Sequence, residues 1–188
     1  MRGNNPYVLI VDDIQKDEKE RLYEWRMKVP TNVEVYNISK GDIILGGVTE
    51  KRSKSYSVHH SPYRTGLTVA EKGQAMLLVR VLQANQPDIA TYQGNPKLEI
   101  LEFIKHDDSH QFAGRSMGVG KRLVIPSRSV KPDYKVFIYP FRHGDPLPET
   151  KLSEDGSEVV VTWANQVDII SFKENANGRT VIDRQQQQ

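Results

Sequence analysis

Pro6-Tyr-Val-Leu-Ile-Val-Asp-Asp13 is followed, after a polar turn, by Arg21-Leu-Tyr-Glu-Trp-Arg-Met-Lys-Val29. In the second stretch Tyr23, Trp25, Met27 and Val29 alternate with Leu22, Glu24, Arg26 and Lys28, which is the period of two of a strand with one apolar face. Taken together the two stretches read as a core hairpin opening an all-β domain. A hairpin this close to Met1, with no apolar leader ahead of it, leads to the expectation that the chain is a piece of something larger.

Working outward, the same punctuation repeats. Strand-like runs fall at Val33 to Ile38, Asp42 to Leu45, Ala75 to Ala84, Lys97 to Lys105, Lys121 to Ile125, Asp133 to Tyr139, Glu158 to Trp163, Val167 to Phe172 and Arg179 to Ile182, with Gly, Pro, Asn and Asp between them. About ten or more strands at this spacing predict an antiparallel two-sheet β-sandwich. A single domain is expected over residues 1–184, with Gln185 to Gln188 as a disordered tail. The stretch Gln15 to Leu22 is charged all round and reads as a connection instead of a helix.

Ala75 to Ala84 is apolar on both faces apart from Arg80. A strand of that kind belongs in the middle of a sheet with something packed on each side. Arg80 then needs a partner, and a structural ion pair is expected there in preference to a ligand contact.

Composition excludes several functions. With 26 Lys and Arg against 24 Asp and Glu, the chain lacks the overall basic excess that neutralises nucleic-acid phosphates. No cysteine is present, which removes disulfides, thiolate nucleophiles and cysteine-based zinc sites together. No apolar run approaches the roughly 20 residues of a membrane span, so neither nucleic acid nor membrane is expected as a partner.

Four polar constellations remain. Gly114-Arg-Ser-Met-Gly-Val-Gly-Lys121 invites comparison with a phosphate-binding loop, but Gly114 lies six residues before Gly120 where the motif needs five, Arg122 stands where Ser or Thr should, and Leu123-Val-Ile-Pro126 continues as a strand. A flexible basic loop is expected, and no cofactor. His106-Asp-Asp-Ser-His110 offers imidazoles and carboxylates from one loop, too few in tetrahedral array for a metal, so it reads as a solvated turn and no metal is assigned.

Val58-His-His-Ser-Pro-Tyr-Arg64 brings His59, His60, Tyr63 and Arg64 into one loop. These groups hydrogen-bond and stack on sugars and pair with carboxylates or sulfates. Tyr139-Pro-Phe-Arg-His-Gly-Asp-Pro-Leu-Pro148 is a strand end running into a bend, with Arg142 and His143 placed to face solvent. His59, His60, Tyr63, Arg64, Arg142 and His143 are therefore the candidate carbohydrate-binding residues. No catalytic residue is assigned, because no nucleophile elbow and no carboxylate pair in a recognisable context occurs.

The opening Pro6-to-Asp13 segment with Tyr23-Glu-Trp25, the run Leu77-Leu-Val-Arg-Val-Leu82, the Tyr139-to-Pro148 bend, and Val159-Val-Val-Thr-Trp163 with Asp168-Ile-Ile-Ser-Phe172 together resemble the C-terminal β-sandwich region of heparinase II/III-like polysaccharide lyases. The resemblance implies a periplasmic or secreted bacterial enzyme cleaving acidic polysaccharide by β-elimination. In that family an α/α-toroid supplies the tyrosine, histidine or asparagine groups that neutralise the uronate and move the C5 proton, and the start of the β region adds a histidine and, in several members, a metal site. Here the toroid is missing, and the similarity begins downstream of those β-region residues, so none is carried to a numbered position.

The expectation is a non-catalytic support domain, inactive alone, whose His59 to Arg64 loop borders the substrate cleft. Its partners would be the absent toroid and, through the parent enzyme, acidic polysaccharide. A free-standing carbohydrate-binding module is the alternative. It would display Tyr63, Tyr92 or Trp163 in a coplanar row, whereas a support domain buries Trp25 and Trp163. A small standalone lyase would have to find its base and electrophile among His59, His60, Tyr63 and Arg64. A truncated domain should also expose apolar side chains on a sheet face or edge.

Overall fold

The computed structural model describes residues 5–29, 33–39, 41–47, 70–85, 97–105, 116–176 and 180–187. Among these, the elements are all strands: β1 (Val8–Asp12), β2 (Arg21–Val29), β3 (Val33–Ser39), β4 (Asp42–Gly47), β5 (Ala75–Gln83), β6 (Lys97–Lys105), β7 (Ser116–Ser129), β8 (Tyr134–Arg142), β9 (Glu149–Leu152), β10 (Glu158–Trp163), β11 (Gln166–Glu174) and β12 (Thr180–Gln187). Every pairing is antiparallel. The all-β expectation holds, and Gln15 to Glu20 is a connection ahead of β2.

The sheets number three instead of two. Sheet A has the order β1-β8-β5-β4-β3, sheet B the order β2-β7-β6, and sheet C the order β12-β11-β10-β9. Sheet A carries apolar side chains on both faces, and alternation along β5 and β8 divides them. Val79 and Val136 join Ile43, Leu45 and Tyr134 against Trp25, Val29, Leu123 and Ile125 of sheet B. Leu78, Phe137 and Tyr139 pack the other way, against Val159, Val161, Trp163 and Ile170 of sheet C. A two-sided apolar strand is stable only with a layer over each face, so the two-sided run at Ala75 to Ala84 demands a third sheet.

The opening segments do not form a hairpin. β1 pairs with β8, Val8 opposite Ile138 and Asp12 opposite Tyr134, while β2 pairs with β7, Trp25 opposite Ile125. The 13–20 connection therefore crosses between layers. β1, with apolar residues on both faces, suits the central sheet, and β2, apolar on one face, suits an outer one. The predicted face of β2 is the buried one, with Trp25 at 9 % exposure and Val29 at 1 %.

Two further boundaries differ. The chain does not end its ordered structure at residue 184, because Gln185, Gln186 and Gln187 pair with Ile169, Asp168 and Val167 in the β11–β12 ladder. Here the β11 ladder, rather than the propensity of the glutamines, holds residues 185–187 in a strand. Ser116 to Lys121, expected as a flexible basic loop, is the first half of β7 and pairs with β6. β9, absent from the sequence reading, is a four-residue strand beside β10.

Large apolar side chains left exposed are Val8, Ile14, Leu22, Val181 and Ile182. Apart from Ile14 in the β1–β2 connection, they lie on β1, β2 and β12, which are edge strands of sheets A, B and C.

Candidate functional site

The first concavity opens between sheets A and C, at the start of β8, and has a volume of about 260 Å³. β8 alternates Tyr134, Val136 and Ile138 toward sheet B with Lys135, Phe137 and Tyr139 toward sheet C, so register forces Lys135 into the interface at 4 % exposure. A buried ammonium must be paired. Its Nζ donates to Asp133 Oδ1 and to Gln83 Oε1, both at 2.8 Å, and sits 5.3 Å from the centre of the Phe172 ring, a cation–π contact.

Around the rim, Lys131 Nζ lies 3.0 Å from Asp13, whose hydrogen bond holds the Lys131 ammonium above its usual range. Asp155 accepts from Ser153 Oγ at 2.7 Å, Ser157 Oγ at 2.8 Å and the Ser157 amide at 3.0 Å. Those hydrogen bonds, the Ser153 hydroxyl first, lower its carboxyl to about 2. Gly156, at φ +70°, closes this turn against Gln83. Charge in the crevice is thus spent on internal partners, and the Lys135 contact with Phe172 of β11 is the one that crosses from sheet A to sheet C.

A second polar cluster joins the ends of the chain. Asp168, fully buried on β11, accepts through Oδ2 from Arg184 Nη2 at 2.7 Å and from Gln166 Nε2 at 3.1 Å. The Arg184 guanidinium lies 5.6 Å from the Tyr7 ring centre. Burial first, then the neighbouring Asp168 carboxylate, push the Tyr7 phenol well above its usual range. The Tyr7 hydroxyl, Trp163 Nε1 and Asp168 Oδ1 are buried without a hydrogen-bond partner of ordinary geometry among the described residues. The sequence signal for this cluster is Asp168, which alternates with Ile170 and Phe172 on the inward face of β11.

Arg80 behaves as expected. Its Nε and Nη2 grip Asp42 at 2.7 and 2.9 Å, and Nη1 reaches the Pro148 carbonyl at 2.9 Å and Thr150 Oγ1 at 3.2 Å.

Of the six candidate carbohydrate-binding residues, His59, His60, Tyr63 and Arg64 lie outside the described residues, as does the His106 to His110 turn. Arg142 and His143 are exposed on the bend after β8. There the backbone ladder continues, with the His143 amide donating to Gln74 O at 2.8 Å and the Gly73 amide to His143 O at 2.9 Å. Gly144 turns the chain at φ +97°, a conformation that favours glycine. Arg142 Nη1 reaches Gly73 O at 3.3 Å. Residues 70–74 and the end of β4 flank the 48–69 segment, and both meet sheet A at the end that carries this bend. The structure thus brings Arg142 and His143 together, and sets them along β8 roughly 23 Å from Lys135 at about 3.3 Å per residue, at the far end from the crevice.

His143 is the one histidine among the described residues, and its recorded partners are backbone groups. Among those residues no group of three or more potential ligands is placed to hold a metal ion. The described aromatic side chains pack inward: Tyr7 stands 5.2 Å from Phe137 and 5.5 Å from Trp163, and Tyr139 lies 5.9 Å from Trp163, centre to centre. No known protein family, curated protein or solved structure matches this chain.

Proposed function

We propose that this chain is the non-catalytic C-terminal β-sandwich region of a heparinase II/III-like polysaccharide lyase, acting in the periplasm or outside the cell as a buttress for the domain that performs β-elimination. The observation that carries the reading is the fate of the aromatic residues. Trp25 and Trp163 are each 9 % exposed, and Tyr139 is 8 % exposed. A carbohydrate-binding module needs flat rings on its surface for sugars to stack on, whereas these rings fill the two interlayer cores. Exposed apolar side chains on edge strands of all three sheets add support, because a neighbouring domain would cover them.

The parent chemistry explains the division of labour. Removing a proton beside a carboxylate requires a base within hydrogen-bond reach and stabilisation of the charge that develops. Charged groups in the described interior are instead committed to each other, as Arg80 is to Asp42 and Lys135 to Asp133. A scaffold is what such pairing suits.

The test is ultraviolet absorbance of unsaturated uronate, followed with the purified chain on heparin, heparan sulfate, chondroitin sulfate and alginate. No turnover is expected, and turnover on any of them overturns the proposal. Calorimetric titration in 0.5 M salt runs alongside. Binding that persists there, where exposed charges are largely screened, would come from ring stacking and would replace the buttress with a binding module.

A further inference from the structure

Among the described residues six strands form the edges of the three sheets: β1 and β3 of sheet A, β2 and β6 of sheet B, and β9 and β12 of sheet C. An open edge invites pairing with another chain, and folds guard against it with lysine, bulges or very short strands. Four of these edges are guarded. β2 carries Lys28, β6 carries Lys97 and Lys105, β9 has four residues and carries Lys151, and β3 is broken by a register shift between Val35 and Asn37. β1 and β12 contain no lysine, no proline and no bulge, and β12 runs for eight residues in unbroken register with β11. Its inward charge, Arg184, is neutralised by Asp168, and Val181 to Gln185 are exposed without interruption.

The two unguarded edges lie on the same side of the molecule. Arg184 of β12 sits 5.6 Å from the ring centre of Tyr7, just ahead of β1, and Thr180 Oγ1 donates at 3.4 Å to Oδ2 of Asp13, just beyond β1. The strands therefore lie one over the other in opposite directions. Ile10, midway between Tyr7 and Asp13, is level with Ile182, midway between Thr180 and Arg184. Of the five large apolar side chains left exposed among the described residues, Val8, Val181 and Ile182 are on this side.

We infer that this side is a homodimer interface in which β12 pairs antiparallel with β12 of a second copy, and β1 with β1. A second copy fits because the two edges are complementary to themselves. A two-fold axis perpendicular to the layers, through Ile10 and Ile182, serves both edges at once. It sets Ile182 against Ile182, Val181 against Asp183 and Thr180 against Arg184 of the second copy. On β1 it sets Ile10 against Ile10, Leu9 against Val11 and Val8 against Asp12. No like charges stand opposite in that register. Moving the axis one or two residues toward the glutamines places Asp183 or Arg184 against itself, which destabilises a sheet. Farther along, at Gln185, the axis passes beyond the start of β1, and moving it toward Thr180 shortens the paired stretch. A two-fold pairing closes on itself, so the assembly stops at two copies. The inference does not rest on the buttress reading, for which Leu22 on β2 remains an apolar contact for a neighbouring domain.

The experiment is sedimentation velocity of the purified chain across the micromolar range, together with cysteine cross-linking, for which a chain without native cysteine gives a clean background. The mass should rise with concentration from 21.5 kDa toward twice that value. Directly opposite residues of an antiparallel pair have Cα atoms roughly 4.5–5.5 Å apart, within reach of a disulfide, so Ile182→Cys should cross-link to its copy under a mild oxidant. Gln185→Cys, on the same strand, stands about 20 Å from its copy in this register, and Leu22→Cys lies on β2. Both should stay uncrosslinked under the same conditions. Ile182→Lys, which sets two ammonium groups against each other, should weaken the dimer by about tenfold or more, whereas Leu22→Lys should leave it unchanged. All of these sites are exposed, and circular dichroism checks that each variant folds. A monomer across the range overturns the inference, as does a mass that grows beyond the dimer. So does an Ile182→Lys dimer as tight as the wild type, or cross-linking of Leu22→Cys or Gln185→Cys as fast as that of Ile182→Cys. Turnover in the lyase assay would remove the buttress reading and leave the dimer, whereas a monomer would remove the dimer and leave the buttress.

Discussion

Removing either partner of the Arg80–Asp42 pair should cost more than a surface ion pair is worth. The two side chains are 18 % and 23 % exposed, they lie directly opposite in the β4–β5 ladder, and Arg80 also holds the Pro148 carbonyl and Thr150 at the start of sheet C. Breaking a fully buried pair from one side costs about 3–5 kcal/mol. Solvent reaching a fifth of each side chain lowers that to about 2–3 kcal/mol for Asp42→Ala, which strands the guanidinium. Arg80→Met, which keeps the apolar stem, should cost about 2 kcal/mol. The double variant removes the stranded charge and should lose about 1.5 kcal/mol less than the sum of the single variants. For a chain of this length, each single change corresponds to a fall in Tm of about 4–12 °C. Urea titrations followed by the fluorescence of the two buried tryptophans give all three numbers. Costs that add within about 0.4 kcal/mol would refute the reasoning. The pair would then be screened, and Arg80 would be available to a ligand in the shallow pocket it shares with Thr150 and Leu152.

Three further outcomes are expected. Gly156→Ala places a side chain at φ +70° with its Cβ 3.0 Å from Gln83 Oε1, so it should cost about 1–2 kcal/mol. Adding Gln83→Ala should restore only the contact part of that loss, as read by thermal melting. Asp155 has its pKa lowered to about 2 from 3.8, so the Ser153–Ser157 turn contributes fully above about pH 4 and loses its contribution as pH falls through 2. Asp155→Asn should therefore flatten part of the decline in Tm between pH 4 and pH 2, and an unchanged slope would count against the turn. Tyr7→Phe keeps the ring contacts to Phe137 and Trp163 but removes a buried hydroxyl without a good partner. It should change stability by less than about 1 kcal/mol in either direction, and a loss above that in urea titration would mean that the hydroxyl is well bonded to Asp168.

Much of the strand content was legible because alternation is a local signal. Arg21–Val29, Lys97–Lys105 and Glu158–Trp163 have the same limits in the sequence reading and in the structure. Sheet membership is set by pairing partners far away in the chain, and it was harder to read. β1 and β2 are neighbours in sequence, yet they find β8 and β7 roughly 90 to 130 residues on. The two-sided run in β5 held the information that a layer lies on each side, and a count of sheets could have been drawn from it. At the other end, glutamine repetition hid a strand that its neighbour β11 pairs residue by residue. Of the candidate site, the bend with Arg142 and His143 was legible from its prolines and glycine. The Lys135 crevice was not, because its lining comes from β1, β8, β11, β12 and two turns, and no local pattern joins them.

The distribution of charge in the interior bears on the functional reading. Inside the layers each cation has an internal purpose. Arg80 holds Asp42 across the β4–β5 ladder, Arg184 holds Asp168 across the β11–β12 ladder, and Lys135 holds Asp133 at the start of its own strand. Charges of that kind are part of the packed structure, and replacing one changes stability before it changes any ligand contact.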